Sequence, residues 1–269
     1  MSSRGMGHPA AAVEIREDEV ARGVRRREFV VRGEGRPVPG ALWTPDPETQ
    51  PGGPAEEDGD PARPLVLIGH GASGSKYQDY VRSLALALVR EHGIAATAID
   101  GPVHGSRRED GGTDGQRAFL DFAAAWSSDA GLTDRMVDDW RRTLTALSAL
   151  GVAGGPVGYW GLSMGTILGL PFVAAEPRIS VAVLGLMGAT GPTAERLVHD
   201  ARLVTCPVLF LVQWSDELFP RETAFELFDL IGSDDKTLHA NPGSHGAVPE
   251  REFAASTRFL VDRLRPRTA

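Results

Sequence analysis

Val157-Gly158-Tyr159-Trp160-Gly161-Leu162-Ser163-Met164-Gly165 is the stretch on which the fold turns. A β-prone apolar run leads into a Gly-x-Ser-x-Gly pattern, and an apolar helical stretch follows over residues 166–175. A serine on a tight strand-to-helix turn needs small neighbours, because the turn brings the flanking backbones together. Glycine at both ends supplies that room. The turn also puts Ser163 at a helix N-terminus, where the Met164 N–H and the helix dipole can stabilise an oxyanion. The plainer reading of Ser163 is a helix N-cap.

On both sides of this stretch, short apolar runs alternate with helical ones, the form of a parallel sheet with crossover helices. The expected strands are Leu65–Ile68, Ile94–Ile99, Val157–Trp160, Ser180–Leu184, Val208–Val212 and Lys236–Leu238. The expected helices are Tyr77–Glu91, Gln116–Trp126, Thr133–Leu150, Ser163–Ala174, Arg221–Leu230 and Pro249–Leu264. In the first helix Tyr80, Leu84 and Leu88 share a face with Val81 on its flank; in the third, Met136, Trp140, Leu144 and Leu147 do the same. Upstream, Arg27–Arg32 and Val38–Thr44 read as a hairpin closed by Gly33-Glu34-Gly35-Arg36-Pro37. Residues 45–63, rich in proline, glycine and acid, read as a surface loop, and residues 1–25 as a polar N-terminal tail. Right-handed crossovers bring the loops at the carboxyl ends of the strands to one crevice. The connection from Asp100 to Val157 carries one helix too many, so residues 105–128 are a candidate lid over that crevice.

A serine hydroxyl becomes a nucleophile when a histidine takes its proton, and the histidine needs an acid to fix its tautomer. Downstream, Gln213-Trp214-Ser215-Asp216-Glu217-Leu218-Phe219-Pro220 sets acids at a strand's carboxyl end. Asn241-Pro242-Gly243-Ser244-His245 then presents a histidine before the last helix. The order Ser163, Asp216, His245 is the one expected on such a sheet. Asp216 and Glu217 can both reach the histidine from that turn. A second N-cap for Asp216 and a surface loop residue for His245 are the plainer readings.

At these residues the chain resembles the α/β-hydrolase superfamily, in particular its small esterase-like and dienelactone-hydrolase-like members. The resemblance covers residues 27–264. It rests on His70-Gly71-Ala72 after the strand Leu65–Ile68, the Gly161–Gly165 elbow, Asp216-x-x-x-Pro220 and Pro242-Gly-x-His245. It implies one α/β domain over residues 26–269, a mostly parallel, twisted sheet of about eight strands with helices on both faces. It also implies Asp216 as the acid in preference to Glu217, and an oxyanion hole made by the amides of Ala72 and Met164. Two departures matter. Dienelactone hydrolases use cysteine where this chain has Ser163, so their substrate is not implied, and the Gly185–Thr205 connection is too short for a large cap.

Other residues weigh less. His70 reads as structural, shaping the oxyanion turn. His104 and Trp214 are candidate substrate contacts, although a loop-bracing role competes for His104. Asp100 is expected to bond the backbone of its own turn. Trp126, Trp140 and Trp160 read as core and Cys206 as a small buried hydrophobe.

The chain has 269 residues, 42% hydrophobic and 24% charged, enough to build a packed core. A net charge of −8 leaves no electrostatic footprint for nucleic acid. A single cysteine rules out an internal disulfide or a cysteine-based metal cluster, and no histidine and carboxylate spacing reads as a metal site. No cofactor is called for. Gly69-His-Gly-Ala-Ser-Gly74 matches neither GxGxxG nor a P-loop. No apolar run reaches the roughly 18 residues that span a bilayer, so a cytoplasmic enzyme without membrane or nucleic-acid partners is expected. The expected activity is hydrolysis of a small-molecule ester or thioester through an acyl-enzyme on Ser163. The alternatives are an acyltransferase, cyclase or C–C hydrolase built on the same residues, or a ligand-binding module without chemistry.

Overall fold

In the computed structural model, which describes residues 12–33, 35–49 and 63–265, strands and helices alternate as a crossover-connected sheet requires. An antiparallel meander comes first: β1 (Ala12–Ala21), β2 (Val24–Arg32) and β3 (Val38–Pro45). It is followed by β4 (Leu65–Gly69), α1 (Asp79–His92), β5 (Ala95–Ile99), α2 (Gly115–Ser128), α3 (Leu132–Ala149), β6 (Val157–Gly161) and α4 (Met164–Ala175). The chain ends with β7 (Ile179–Gly185), α5 (Ala194–Ala201), β8 (Val208–Gln213), α6 (Arg221–Leu230), β9 (Lys236–Asn241) and α7 (Glu250–Leu264). One nine-stranded sheet results, in the order β1-β2-β3-β5-β4-β6-β7-β8-β9. β3 pairs antiparallel with β5, and the pairings from β5 through β9 are parallel.

β4, β5, β6 and β8 are buried at every position, because helices cover both faces. Successive side chains alternate between two cores. Leu65 and Leu67 of β4 and Val208, Phe210 and Val212 of β8 join Trp140, Phe172, Leu197 and Leu227 from α3, α4, α5 and α6. Val66, Ile68, Leu209 and Leu211 join Leu84 and Leu88 of α1 and Leu260 and Leu264 of α7 on the other side. Each such buried leucine contributes about 1.5–3 kcal/mol. α1 stops at Gly93, whose φ of 64° lets its N–H reach the Val89 carbonyl while the Ile94 N–H reaches that of Leu88.

The first correction to the sequence reading concerns the expected tail. Residues 12–25 are β1 and the start of β2, joined at Arg22 and Gly23, both with positive φ; residues 1–11 lie outside the described part. β1 shows no apolar alternation because it is an edge strand exposed along most of its length, with Val13 packed against the core. Cross-strand ion pairs hold it instead: Arg26 to Glu17 and Glu19 (2.9 and 2.7 Å), Arg25 to Asp18 (2.8 Å) and Arg32 to Glu14 (2.5 Å). The loop assigned to residues 45–63 falls largely on residues 50–62, also outside the described part. The Gly185–Thr205 connection carries α5, a helix of eight residues with too little sequence to show a period. Among the described residues no helix is long and apolar enough to cross a membrane.

Candidate active site

The β6–α4 turn is built around a backbone that only a constrained site retains. Ser163 has φ 57° and ψ −118°, a region that costs a residue with a side chain about 1–3 kcal/mol. The flanking glycines are obligatory. A Cβ on Gly161 would stand 2.7 Å from the Gly165 carbonyl oxygen, and one on Gly165 would stand 2.7 Å from that of Gly69. The Ser163 N–H donates to Gly185 of β7 (3.0 Å), and its carbonyl accepts from Thr166 and Ile167 (2.7 and 2.9 Å). Beneath the turn, the Tyr159 hydroxyl donates to Gly165 O (2.7 Å), and Thr166 Oγ1 donates to Gly161 O and accepts from Gly185 N–H (2.8 Å each).

Three residues far apart in the chain meet at the carboxyl ends of β6, β8 and β9. Ser163 Oγ lies 2.9 Å from His245 Nε2, and His245 Nδ1 lies 2.8 Å from Asp216 Oδ2. Asp216 Oδ1 accepts from the amides of Leu218 and Phe219 (2.9 Å each). Burial opposes the charge on Asp216. The bond from His245 and the two amides outweigh it and hold the carboxyl below the usual carboxylate range. An ionised Asp216 accepts the Nδ1 proton, so the network assigns the unprotonated Nε2 to the side of Ser163. Glu217 has a different position: its Oε2 accepts the backbone N–H of His245 (2.8 Å).

The turn after β4 faces the elbow. Two histidines shape it. His70 Nε2 accepts the Gly101 N–H (2.8 Å), so Nδ1 carries the proton it donates to the Gly71 carbonyl (2.8 Å). His104 donates from Nε2 to the Ala72 carbonyl (2.7 Å). Burial lowers the pKa of both rings, that of His104 to about 4, and keeps them neutral. The Gly71 N–H is held by the Tyr80 hydroxyl (2.6 Å). Among the described residues no group accepts a hydrogen bond from the amide of Ala72 or of Met164. Below, Asp100 accepts from the Lys76 amide (3.0 Å), the Lys76 ammonium (2.7 Å) and the Ser106 amide (2.9 Å). Burial pushes the Asp100 carboxyl up, but the Lys76 ammonium and the hydrogen bonds from Lys76 bring it below its ordinary value.

Ser163, Asp216, His245, Ala72 and Met164 are thus together at one end of the sheet. His104 is not a surface contact: it is wholly buried and braces Ala72. Trp214 is 49% exposed, with the Arg221 guanidinium over its ring (4.7 Å) and Phe225 tilted against it (6.2 Å, 59° between planes), both partners on α6. Asp100 bonds its own turn as expected, and also Lys76, one of only two lysines in a chain rich in arginine. That rarity was the available signal for Lys76. Phe219, whose ring lies 5.6 Å from that of His245, had no signal beyond its place beside Asp216. Among the described residues no group of three or more His, Cys, Asp or Glu side chains is arranged to hold a metal.

No family model and no curated protein matches the chain. Solved structures do. A cold-adapted esterase from an Arctic intertidal metagenomic library, solved with polyethylene glycol bound, is 40% identical. That alignment covers 98% of this chain and 100% of the other, with a TM-score of 0.78. An acetyl xylan esterase from a Paenibacillus species is 19% identical over 94% of this chain and 89% of its own, with a TM-score of 0.71. A dienelactone hydrolase from Anabaena variabilis is 19% identical over 90% of this chain and 100% of its own, with a TM-score of 0.65. The last two share the fold.

Proposed function

The chain belongs to the α/β-hydrolase superfamily, and from that premise we propose that it is a serine hydrolase that cleaves a carboxylic ester or thioester through an acyl-enzyme on Ser163. As Ser163 Oγ attacks the carbonyl carbon, His245 Nε2 takes its proton. Asp216 holds the Nδ1 proton and stabilises the imidazolium. The carbonyl oxygen becomes an oxyanion between the Ala72 and Met164 amides, each worth on the order of 2.7–4 kcal/mol to the transition state. Collapse of the tetrahedral intermediate breaks the bond to the leaving alcohol or thiol, which receives the proton from Nε2. Water, activated by the same nitrogen, attacks the acyl-enzyme, and the acid departs with Ser163 restored. Side chains, backbone amides and water suffice.

The observation that carries this reading is the unbroken line from Ser163 Oγ through His245 to Asp216, at 2.9 and 2.8 Å, beside two amides that have no acceptor among the described residues. The esterase that is 40% identical supports the same chemistry. The substrate is a small ester, and the enzyme works in the cytoplasm, where a chain with one cysteine needs no oxidising environment. The test is burst kinetics with p-nitrophenyl acetate and labelling by a fluorophosphonate. Wild type should show a burst and a single label on Ser163, and Ser163→Ala should show neither while keeping its circular dichroism spectrum. Turnover retained in that variant would reject the covalent mechanism.

A further inference from the structure

α2 is seated on both sides of the candidate active site. At its N-terminal end Gly115 packs on the turn after β4: a Cβ there would stand 2.6 Å from the Ser73 carbonyl oxygen. About two helical turns further on, buried Phe122 lies 6.0 Å from the ring of His104, which holds Ala72. Near its C-terminal end Trp126 stacks on Phe122 (6.1 Å, 12° between planes) and meets Phe219 edge-on (6.5 Å). Phe219 in turn lies 5.6 Å from His245. A continuous row of rings, His104–Phe122–Trp126–Phe219–His245, therefore runs from the oxyanion turn to the base.

Trp126 is the fixed point of this row. Its Nε1–H donates to Thr193 Oγ1 (2.9 Å), and Gly191 approaches so closely that a Cβ would stand 2.5 Å from the indole. The ring is only partly buried, yet hydrogen bonding, stacking and backbone contact hold it in one orientation. Its one polar atom is spent on Thr193, so what it offers a substrate is hydrocarbon and a π-face. Charges on the same segment pair with one another, Arg108 with Asp110 and Asp121 (2.6 and 3.0 Å) and Arg117 with Asp121 (2.8 Å). A wall of this kind accepts an uncharged apolar group and stops it where the indole begins.

We propose that Trp126, wedged between Phe122, Phe219 and Gly191, is the specificity-determining residue that limits the length of the apolar substituent of the ester. This rests on the ester-hydrolase reading above. The substituent belongs either to the acyl part or to the alcohol part, and two substrate series separate them: p-nitrophenyl esters from acetate to octanoate, and acetate esters from ethanol to octanol. In one series the wild type should lose about tenfold or more in kcat/KM once the chain meets the indole. Trp126→Ala should move that fall to longer chains in the same series, and Trp126→Phe should move it less. Thr193→Val, which frees the indole N–H, should shift it in the same direction by a smaller amount. Because Trp126→Phe keeps the stack on Phe122, it carries the comparison if Trp126→Ala does not fold. Profiles of the variants that run parallel to wild type in both series, with kcat lowered evenly, would make Trp126 a structural anchor and overturn the proposal. A wild type that turns over neither series would overturn the ester-hydrolase reading itself.

Discussion

His104 Nε2 lies 2.7 Å from the carbonyl oxygen of Ala72, tying a wholly buried imidazole to the turn that faces the nucleophile elbow. With His70 on the carbonyl of Gly71, both peptide groups that flank the Ala72 α-carbon are pinned by a histidine in a set tautomer. The peptide of the Gly71 carbonyl carries the Ala72 N–H, so His70 aims that donor directly, while His104 fixes the Ala72–Ser73 peptide and with it the rotation about the Ala72 α-carbon. Replacing His104 by Phe removes the brace and leaves the Ala72 carbonyl unpaired. Because an oxyanion donor displaced by an ångström costs about a hundredfold, kcat on p-nitrophenyl acetate should fall by about ten- to a hundredfold. KM should stay within about threefold, because the lost interaction strengthens only in the transition state. Steady-state kinetics on the purified variant check this, with a thermal melt to show that it folds.

Asp216 and Glu217 hold the same histidine by different atoms, ring and backbone respectively. Asp216→Asn offers an amide where Nδ1–H needs an acceptor, which favours the wrong tautomer, and kcat should fall on the order of ten-thousandfold. Glu217→Gln keeps an acceptor for the His245 N–H and should cost no more than about threefold. Equal losses in the two variants would show that the acid role is shared.

Lys76 and Asp100 form an ion pair of which 2% and none, respectively, is exposed. Lys76→Met would strand the Asp100 carboxylate in the protein interior and should destabilise the fold by about 3–5 kcal/mol. In a chain of this length that corresponds to a fall in Tm on the order of 10 °C. Adding Asp100→Asn should restore part of the loss, because the two changes share one interaction. Calorimetric melts of the single and double variants measure the coupling.

His104 titrates at about 4 in the folded protein because burial opposes its charge, against an ordinary value of 6.5. A base with a depressed folded pKa binds fewer protons folded than unfolded, so stability is full above pH 6.5 and is lost as pH falls towards 4. The loss due to this residue is about 3 kcal/mol. Urea unfolding at pH 7.0 and pH 4.5 should show it, and the dependence should flatten in His104→Gln. Buried His70 shifts in the same direction and sustains the remainder.

Much of the site was legible because its chemistry demands residue types at set points of the fold. Gly161 and Gly165 flank a strained serine because any Cβ there meets backbone, and Asp216 and His245 each close a strand with a run of turn-forming residues. The central strands declared themselves by short, largely apolar runs, the mark of burial on both faces. β1 did not, since ion pairs across strands leave no hydrophobic period. α5 was missed because eight residues are barely two turns.

The linear order alone determined the class of fold, the elbow and the succession of nucleophile, acid and base, because each depends on local pattern and on the chirality of crossover connections. Only the tertiary structure decided that His104 is a brace and not a contact, that Trp214 faces Arg221, and that Trp126 stands beside Phe219. The reason is that a side chain's neighbours are set by how loops and helices pack on the sheet, and no period in the sequence records that packing.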